Sequence, residues 1–400
     1  MKRIFGLIPN VFFLGLVSLF NDFSAQMIIA VMPAFLVSLG ATPIFIGFLE
    51  GFADALSSVL KIFSGWFSDR IRRRKIISVW GYSLSTFTRW ILYFVGNIWQ
   101  VFVLRAFDRV GKGFRDSPRD ALLADSVARG EVGKSFGYQR AMDAAGGVIG
   151  PVAAVLILPL IGGNYRTLFL IAFGVGILAL LSFFFVEERT PQRTEGAGEP
   201  LPFTFSPKRF GGHFKGFIAS VFFFGLGAMP VSVMLLKSSS IGSIAIYIPL
   251  MYLVYNVSFA FFAIPFGKLS DKITERRVII GGFAAAICSY LVLAFTESVA
   301  GITMGFVLFG VYTAMTEGVE KAFASKLLAS EVMASGQGFL GAAIGISSLL
   351  AGLVGGTIWT FLGVTSAFVY GAAMMAIGLL IFIQLNGMRE RAYNKTIQSL

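Results

Sequence analysis

Cysteine and histidine occur once each in this chain of 400 residues, as Cys288 and His213, and charged residues make up only 14% of it. A lone thiol has no partner for a disulfide. A single histidine and a single cysteine offer no ligand spacing for zinc, so no resident metal or cofactor is expected. Nucleophile-elbow and zinc-protease patterns are missing. Gly111-Lys112-Gly113 resembles a phosphate loop only superficially, because the upstream glycine and the following Ser or Thr are absent. An enzyme is therefore not expected. Acids are also scarce, 21 against 33 Lys and Arg.

Apolar length is what the chain has in abundance. Hydrophobic residues make up 56% and aromatics 15%, with a mean hydropathy of +0.79, far from a soluble domain of this size. A helical span needs roughly 20 apolar residues, and about twelve such stretches follow one another with short loops between them. Helices are expected near 11–39, 44–67, 76–95, 98–123, 135–161 and 166–186, then 213–236, 243–269, 277–296, 299–325, 332–360 and 364–386. The first stretch is too long for a signal-peptide core and is expected to be retained as a helix. Alternating ten-residue strands are absent, which disfavours a barrel. The expected fold is an all-α membrane protein whose twelve transmembrane helices form two pseudo-symmetric six-helix bundles.

The net charge of +12 invites a nucleic-acid reading, but the bases cluster at alternate helix ends. Lys2 and Arg3, the run Arg70 to Lys75, Arg129 and Lys134, Arg189 to Lys215, Lys268 to Arg277, Lys326 and Arg389 to Lys395 fall on one side. The opposite turns carry only Arg166 and Lys237 as bases. By the positive-inside rule the basic side is cytoplasmic, with both termini there and the chain in the cytoplasmic (inner) membrane; a bilayer, not nucleic acid, is the partner. Residues 187–212 are polar and rich in Pro, Gly and Arg, and read as a cytoplasmic linker between bundles at 1–186 and 213–400.

A charged turn is written twice. Gly65, Asp69, Arg70, Arg73 and Arg74 close one apolar stretch, and Gly267, Asp271, Lys272, Arg276 and Arg277 close another about 200 residues on. Arg119-Asp120-Ala121 likewise lines up with Glu320-Lys321-Ala322. A parallel repeat of this size places a cavity between its halves at mid-bilayer, the layout of an alternating-access transporter.

The turn Gly65-Trp66-Phe67-Ser68-Asp69-Arg70-Ile71-Arg72-Arg73-Arg74, the basic central loop and the helix count together resemble the major facilitator superfamily over essentially the whole chain. The family signature is G-x-L-x-D-R-x-G-R-R/K, with Arg72 standing here where a glycine is usual. The resemblance implies that Gly65, Asp69, Arg70, Arg73, Gly267, Asp271, Lys272 and Arg276 form gate turns. Gly146-Gly147-Val148-Ile149-Gly150-Pro151 is similar to the G-x-x-x-G-P motif of the antiporter branch. Asp108-Arg109-Val110-Gly111-Lys112-Gly113-Phe114-Arg115 with Pro118-Arg119-Asp120-Ala121-Leu122 looks like a subgroup of prokaryotic facilitators.

Charges deep in a bilayer cost roughly 2.5–3.5 kcal/mol each on insertion scales and must be paired or face a wet cavity. Asp22, Asp54 and Asp108 each fall near the middle of a helix. Asp22 and Asp54, with Glu50, are the candidates for proton coupling, since desolvation favours a carboxyl that can load and release a proton. Asn21, Arg89, Arg105, Asp108, Arg109, Arg140, Asp143 and Glu317 are candidates for substrate recognition or internal charge compensation. Pairing is expected between Asp108 and Lys112, Arg140 and Asp143, and Glu317 and Lys321. Phe222, Phe223, Phe224, Tyr247, Tyr252 and Tyr255 would line an apolar wall or simply pack.

These observations predict a secondary transporter that moves a small-molecule substrate with a coupling ion, H+, and exports an amphipathic or drug-like compound. An anionic metabolite or metal chelate is the alternative within transport, and a non-transporting membrane receptor is the alternative outside it. The chain is expected to work as a monomer.

Overall fold

The structure is a computed structural model describing residues 4–5, 7–71, 73–127, 131–188, 210–242, 244–328 and 333–398. Side chains are described throughout these except at 61–71, 132, 244–245, 271, 333–334 and 386–398. Most of the inter-bundle linker, residues 189–209, and the turn residue Arg72 lie outside the described residues. So do the side chains of Asp69, Arg70 and Asp271.

The apolar stretches are helices, as their composition demands of a backbone that must satisfy its own polar groups in lipid. In chain order these are α1 (Pro9–Ser38), α2 (Pro43–Ile71), α3 (Arg74–Ile91), α4 (Ile98–Asp125), α5 (Val132–Leu160) and α6 (Tyr165–Ser182). They are followed by α7 (Gly212–Gly227), α8 (Val231–Leu235), α9 (Ile244–Ile273), α10 (Glu275–Phe295), α11 (Val299–Thr316), α12 (Val319–Lys326), α13 (Met333–Leu362) and α14 (Val364–Gln398). Side-chain caps start several of them. Asn97 accepts the Gln100 amide at 3.0 Å, Asn164 the Arg166 and Thr167 amides at 3.0 and 3.2 Å, and Ser298 the Gly301 amide at 3.1 Å. Gly40, Gly163 and Gly363, with φ of 84°, 76° and 90°, follow α1, α5 and α13 at the same turns, where only glycine turns the chain without strain.

Two expected helices are interrupted. The seventh breaks between α7 and α8, where Pro230 cannot donate a backbone bond, and runs on into a 3-10 turn at Leu236–Ile241. The tenth breaks at Glu317 and Gly318, between α11 and α12. With each broken helix taken as one stretch, 10 described helical stretches are long and apolar enough to cross a membrane. Neither α3 nor α4 is among them, because charged residues dilute their apolar content.

The chain divides into two compact units. One comprises Met1–Ala41, Phe52–Leu201 and Gly242–Leu253; the other comprises Thr42–Gly51, Pro202–Ile241 and Val254–Leu400. In the first, α1 packs on α5 and α6, and α3 on α4 and α6. In the second, α7 packs on α13 and α14, and α10 on α11 and α14. The pairing scheme repeats helix for helix. This grouping departs from a linear halving at the first turns of α2 and α9. Backbone contact explains the α2 case, since a Cβ on Gly47 would lie 2.1 Å from the Gly352 carbonyl oxygen and one on Gly356 would lie 2.7 Å from that of Pro43. Tyr252 near the start of α9 donates its hydroxyl to Gln26 of α1 within the first unit.

The second unit is held by rings. Phe224 stacks on Phe283 with centroids 3.8 Å apart, and Phe217, Phe283 and Phe323 converge on Phe382. Of the aromatic wall expected from the sequence, Phe224 is therefore core and Tyr255 packs on Phe309.

Candidate functional site

Polar chemistry concentrates in the first unit, where α1, α3, α4 and α5 meet. Arg89, Arg105, Arg109, Arg115 and Arg119 are each less than one-tenth exposed. Five buried guanidiniums in a bilayer-spanning bundle require acids and acceptors on the facing helices.

α1 supplies them first. Asn21 Nδ2 donates to Asp22 Oδ1 at 2.9 Å, and Asn21 Oδ1 accepts from Arg89 Nη2 at 2.9 Å. Arg89 Nη1 also reaches the Asn21 carbonyl at 3.5 Å. Asp22, Asn21 and Arg89 thus form a relay from α1 to α3. Gly146 and Gly150 make the approach of α5 to this stretch possible. A Cβ on Gly146 would come within 2.6 Å of the Leu19 carbonyl and 3.0 Å of Asp22 Cβ, and one on Gly150 within 2.7 Å of the Phe23 carbonyl. The G-x-x-x-G part of the antiporter-type motif is a seat for the α1 segment that carries Asp22, and Pro151 after it is buried.

On α4, Arg105 lies 3.6 Å from Asp108, and Arg109 lies 3.9 Å from Asp54 of α2. Asp108 sits in the combined field of Arg105, Arg109, Arg89 and Arg115. A cavity of about 20 Å³, lined in part by Thr88, Arg89, Arg105 and Asp108, separates α1, α3 and α4 at this level. That is room for one water, with polar partners to hold it. Asp54 keeps 48% of its side chain exposed, whereas Glu50, one turn earlier, is buried.

Below this lies a hub that the sequence did not single out. Arg119 Nη1 donates to Ser18 Oγ at 3.1 Å and Tyr82 Oη at 3.2 Å, Nη2 donates to Asp120 at 2.9 Å, and Asp143 lies 3.7 Å away. Gln139 also donates to Asp120 at 3.2 Å. Arg115 donates to Ser85 Oγ at 2.9 Å and lies 4.7 Å from the Tyr82 ring centroid. The signal was the run Arg105, Arg109, Arg115, Arg119, too evenly charged for a face in lipid. Its partners Ser18, Tyr82 and Ser85 look like ordinary bundle residues.

One expected pairing is joined by a second partner, and another differs. Arg140 pairs with Asp143 at 3.9 Å as expected, from a side chain 72% exposed, and buried Arg119 approaches the same carboxylate at 3.7 Å. Glu317 is exposed in the turn between α11 and α12, because Gly318 interrupts the helix there, and Glu320 is the buried acid of that segment. Asp108 takes Arg105 as an ion-pair partner. In the gate turns, Arg73 and Lys272 are exposed and Arg276 donates to the Ile383 carbonyl at 2.9 Å. Gly267 has open space around it, and the side chains of Asp69, Arg70 and Asp271 fall outside the described residues, as does anything of Gly65 beyond its place in α2. Beside the first turn, Arg74 pairs with Asp125. Among the described residues no cluster of His, Cys, Asp and Glu could hold a metal.

Apolar helices thus enclose a buried cluster of paired charges in the first unit, and the family match makes the chain a membrane transporter. The Major Facilitator Superfamily model matches residues 14–260 and 216–398, and the chain belongs to that superfamily. An MFS-type transporter of Methanocaldococcus jannaschii is 31% identical over 94% of this chain and 94% of its own length. The multi-drug resistance efflux pump PmrA of Streptococcus pneumoniae is 26% identical over 76% of this chain and 77% of its own length. A POT family transporter crystallised with 5-aminolevulinic acid superposes with a TM-score of 0.80 at 13% identity, covering 98% of both chains, a likeness of fold alone.

Proposed function

We propose that this transporter exports a small amphipathic or drug-like solute from the cytosol by alternating access, in exchange for protons, with both termini cytoplasmic. The observation that carries the reading is the relay from Asp22 through Asn21 to buried Arg89. Asp22 reaches Arg89 only through Asn21, so a proton loaded on Asp22 acts on the hydrogen-bonded link between α1 and α3. Asp54 against Arg109 and buried Glu50 are the secondary coupling groups. The two gate turns are the cytoplasmic latch. Similarity to PmrA supports export, and the clustering of bases on one set of loops supports the orientation.

Reconstituted vesicles with an imposed pH gradient test this. A panel of lipophilic cations is offered, and Asp22→Asn is expected to abolish gradient-driven accumulation while preserving substrate exchange without a gradient. Unchanged accumulation by Asp22→Asn removes that residue from coupling. A second reading, transport of an anionic metabolite or chelate, is favoured by the buried arginines. It predicts that Arg105→Glu inverts the charge preference, whereas the first predicts loss of folding or rate without inversion.

A further inference from the structure

At the end of the first unit remote from the charged turn, α3 runs out at Ile91, a short 3-10 turn spans Leu92–Phe94, and α4 begins at Ile98. A groove of about 510 Å³ lies there, within the range of roughly 300–1,000 Å³ usual for small-molecule sites. Its walls are apolar, with Phe94, Trp99 and Val103 all largely exposed.

The mouth of the groove has the opposite character. Asn97 Oδ1 accepts the Gln100 amide at 3.0 Å, and Gln100 Oε1 accepts the Gly96 amide at 2.8 Å. Because both side-chain oxygens are engaged by backbone N–H groups, the side chains' remaining polar atoms are donors only. Arg166, at the start of α6, donates through Nη2 to the carbonyl of Val95, itself a groove residue, at 2.8 Å. Its other N–H groups stay available and its side chain is exposed. No acid occurs from Ile91 to Leu104 or from Leu160 to Ile171. A fixed positive charge and two amide donors, with no local carboxylate, stand over an apolar slot.

We propose that this groove holds one phospholipid of the adjacent leaflet. Its phosphodiester rests on Arg166, Asn97 and Gln100, and an acyl chain lies along Phe94, Trp99 and Val103. Phosphate supplies the acceptors and negative charge that the mouth lacks, and the chain covers rings that would otherwise leave a cleft in the lipid-facing surface. A free anion would satisfy the mouth but not the slot, and an uncharged lipid the reverse.

The experiment uses the full-length protein, delipidated in an uncharged maltoside detergent, with thermal unfolding followed as ligand is added. Phosphatidylglycerol is expected to raise the midpoint. Diacylglycerol with the same chains, and inorganic phosphate, are each expected to give less than half that shift. Arg166→Gln is expected to weaken the apparent affinity for phosphatidylglycerol roughly tenfold, as loss of one charge-assisted hydrogen bond implies. Val103→Trp, which fills the slot, is expected to remove the shift. Both positions are exposed, and monodispersity on gel filtration checks each variant; if Val103→Trp fails that check, Arg166→Gln decides alone. Equal phosphatidylglycerol shifts in the parent and in Arg166→Gln overturn the proposal. So does a diacylglycerol shift as large as that of phosphatidylglycerol.

Discussion

Thr274 carries a β-branched side chain at φ 94°, a conformation that glycine adopts freely and threonine does not. It follows Lys272 by two positions, as Arg72 follows Arg70, and so occupies the place where the superfamily signature has glycine. The second copy thus adopts a positive φ at this place without the residue that makes it easy. Thr274→Gly is expected to raise stability by about 1 kcal/mol, read as a higher unfolding midpoint in detergent. Arg119 is the opposite case, a buried ion held by Ser18, Tyr82, Asp120 and the nearby Asp143. Arg119→Met leaves those acids uncompensated and is expected to cost about 3–5 kcal/mol, seen as loss of monodisperse protein, with no selective change in substrate preference.

Among elements, the contact of α5 with α1 is the tightest constraint on the candidate site. Gly150→Val places methyls against the Phe23 carbonyl and Met27 amide of α1. It is expected to destabilise by roughly 1–3 kcal/mol and to displace Asp22, so that exchange falls together with stability in a vesicle assay. The glycine pair was legible because its spacing is local and periodic, and the helices themselves were legible because apolar length is. What α5 seats against was not legible, since nothing in Gly146-x-x-x-Gly150 says which helix passes there. Breaks within the seventh and tenth helices are not legible for a related reason: Pro230 and Gly318 are tolerated in spans, and apolar composition runs straight through them. Arg119 was visible as a residue of a motif, but its role depends on Tyr82 and Ser18, brought near only by packing.

For the molecule as a whole, the distribution of bases predicts which loops face which compartment. Cys288 is the sole thiol and lies exposed on α10, so Cys288→Ala provides a cysteine-free parent in one step. In that background Glu297→Cys is expected to react with an impermeant maleimide in intact cells, and Arg73→Cys only after permeabilisation. The reverse pattern would invert the orientation proposed here, and with it the direction assigned to export.

The charge held by α3 and α4 also bears on biogenesis. Neither helix has the apolar content of the other spans, and the groups that neutralise their arginines come from α1, α2 and α5 as well as from α4 itself. Membrane integration of this hairpin is therefore a cooperative act. It is expected to wait beside the translocon until its counter-ion on α5, Asp143, has emerged from the ribosome. Nascent chains arrested before α5 should remain extractable by alkali, and chains arrested just after it should not.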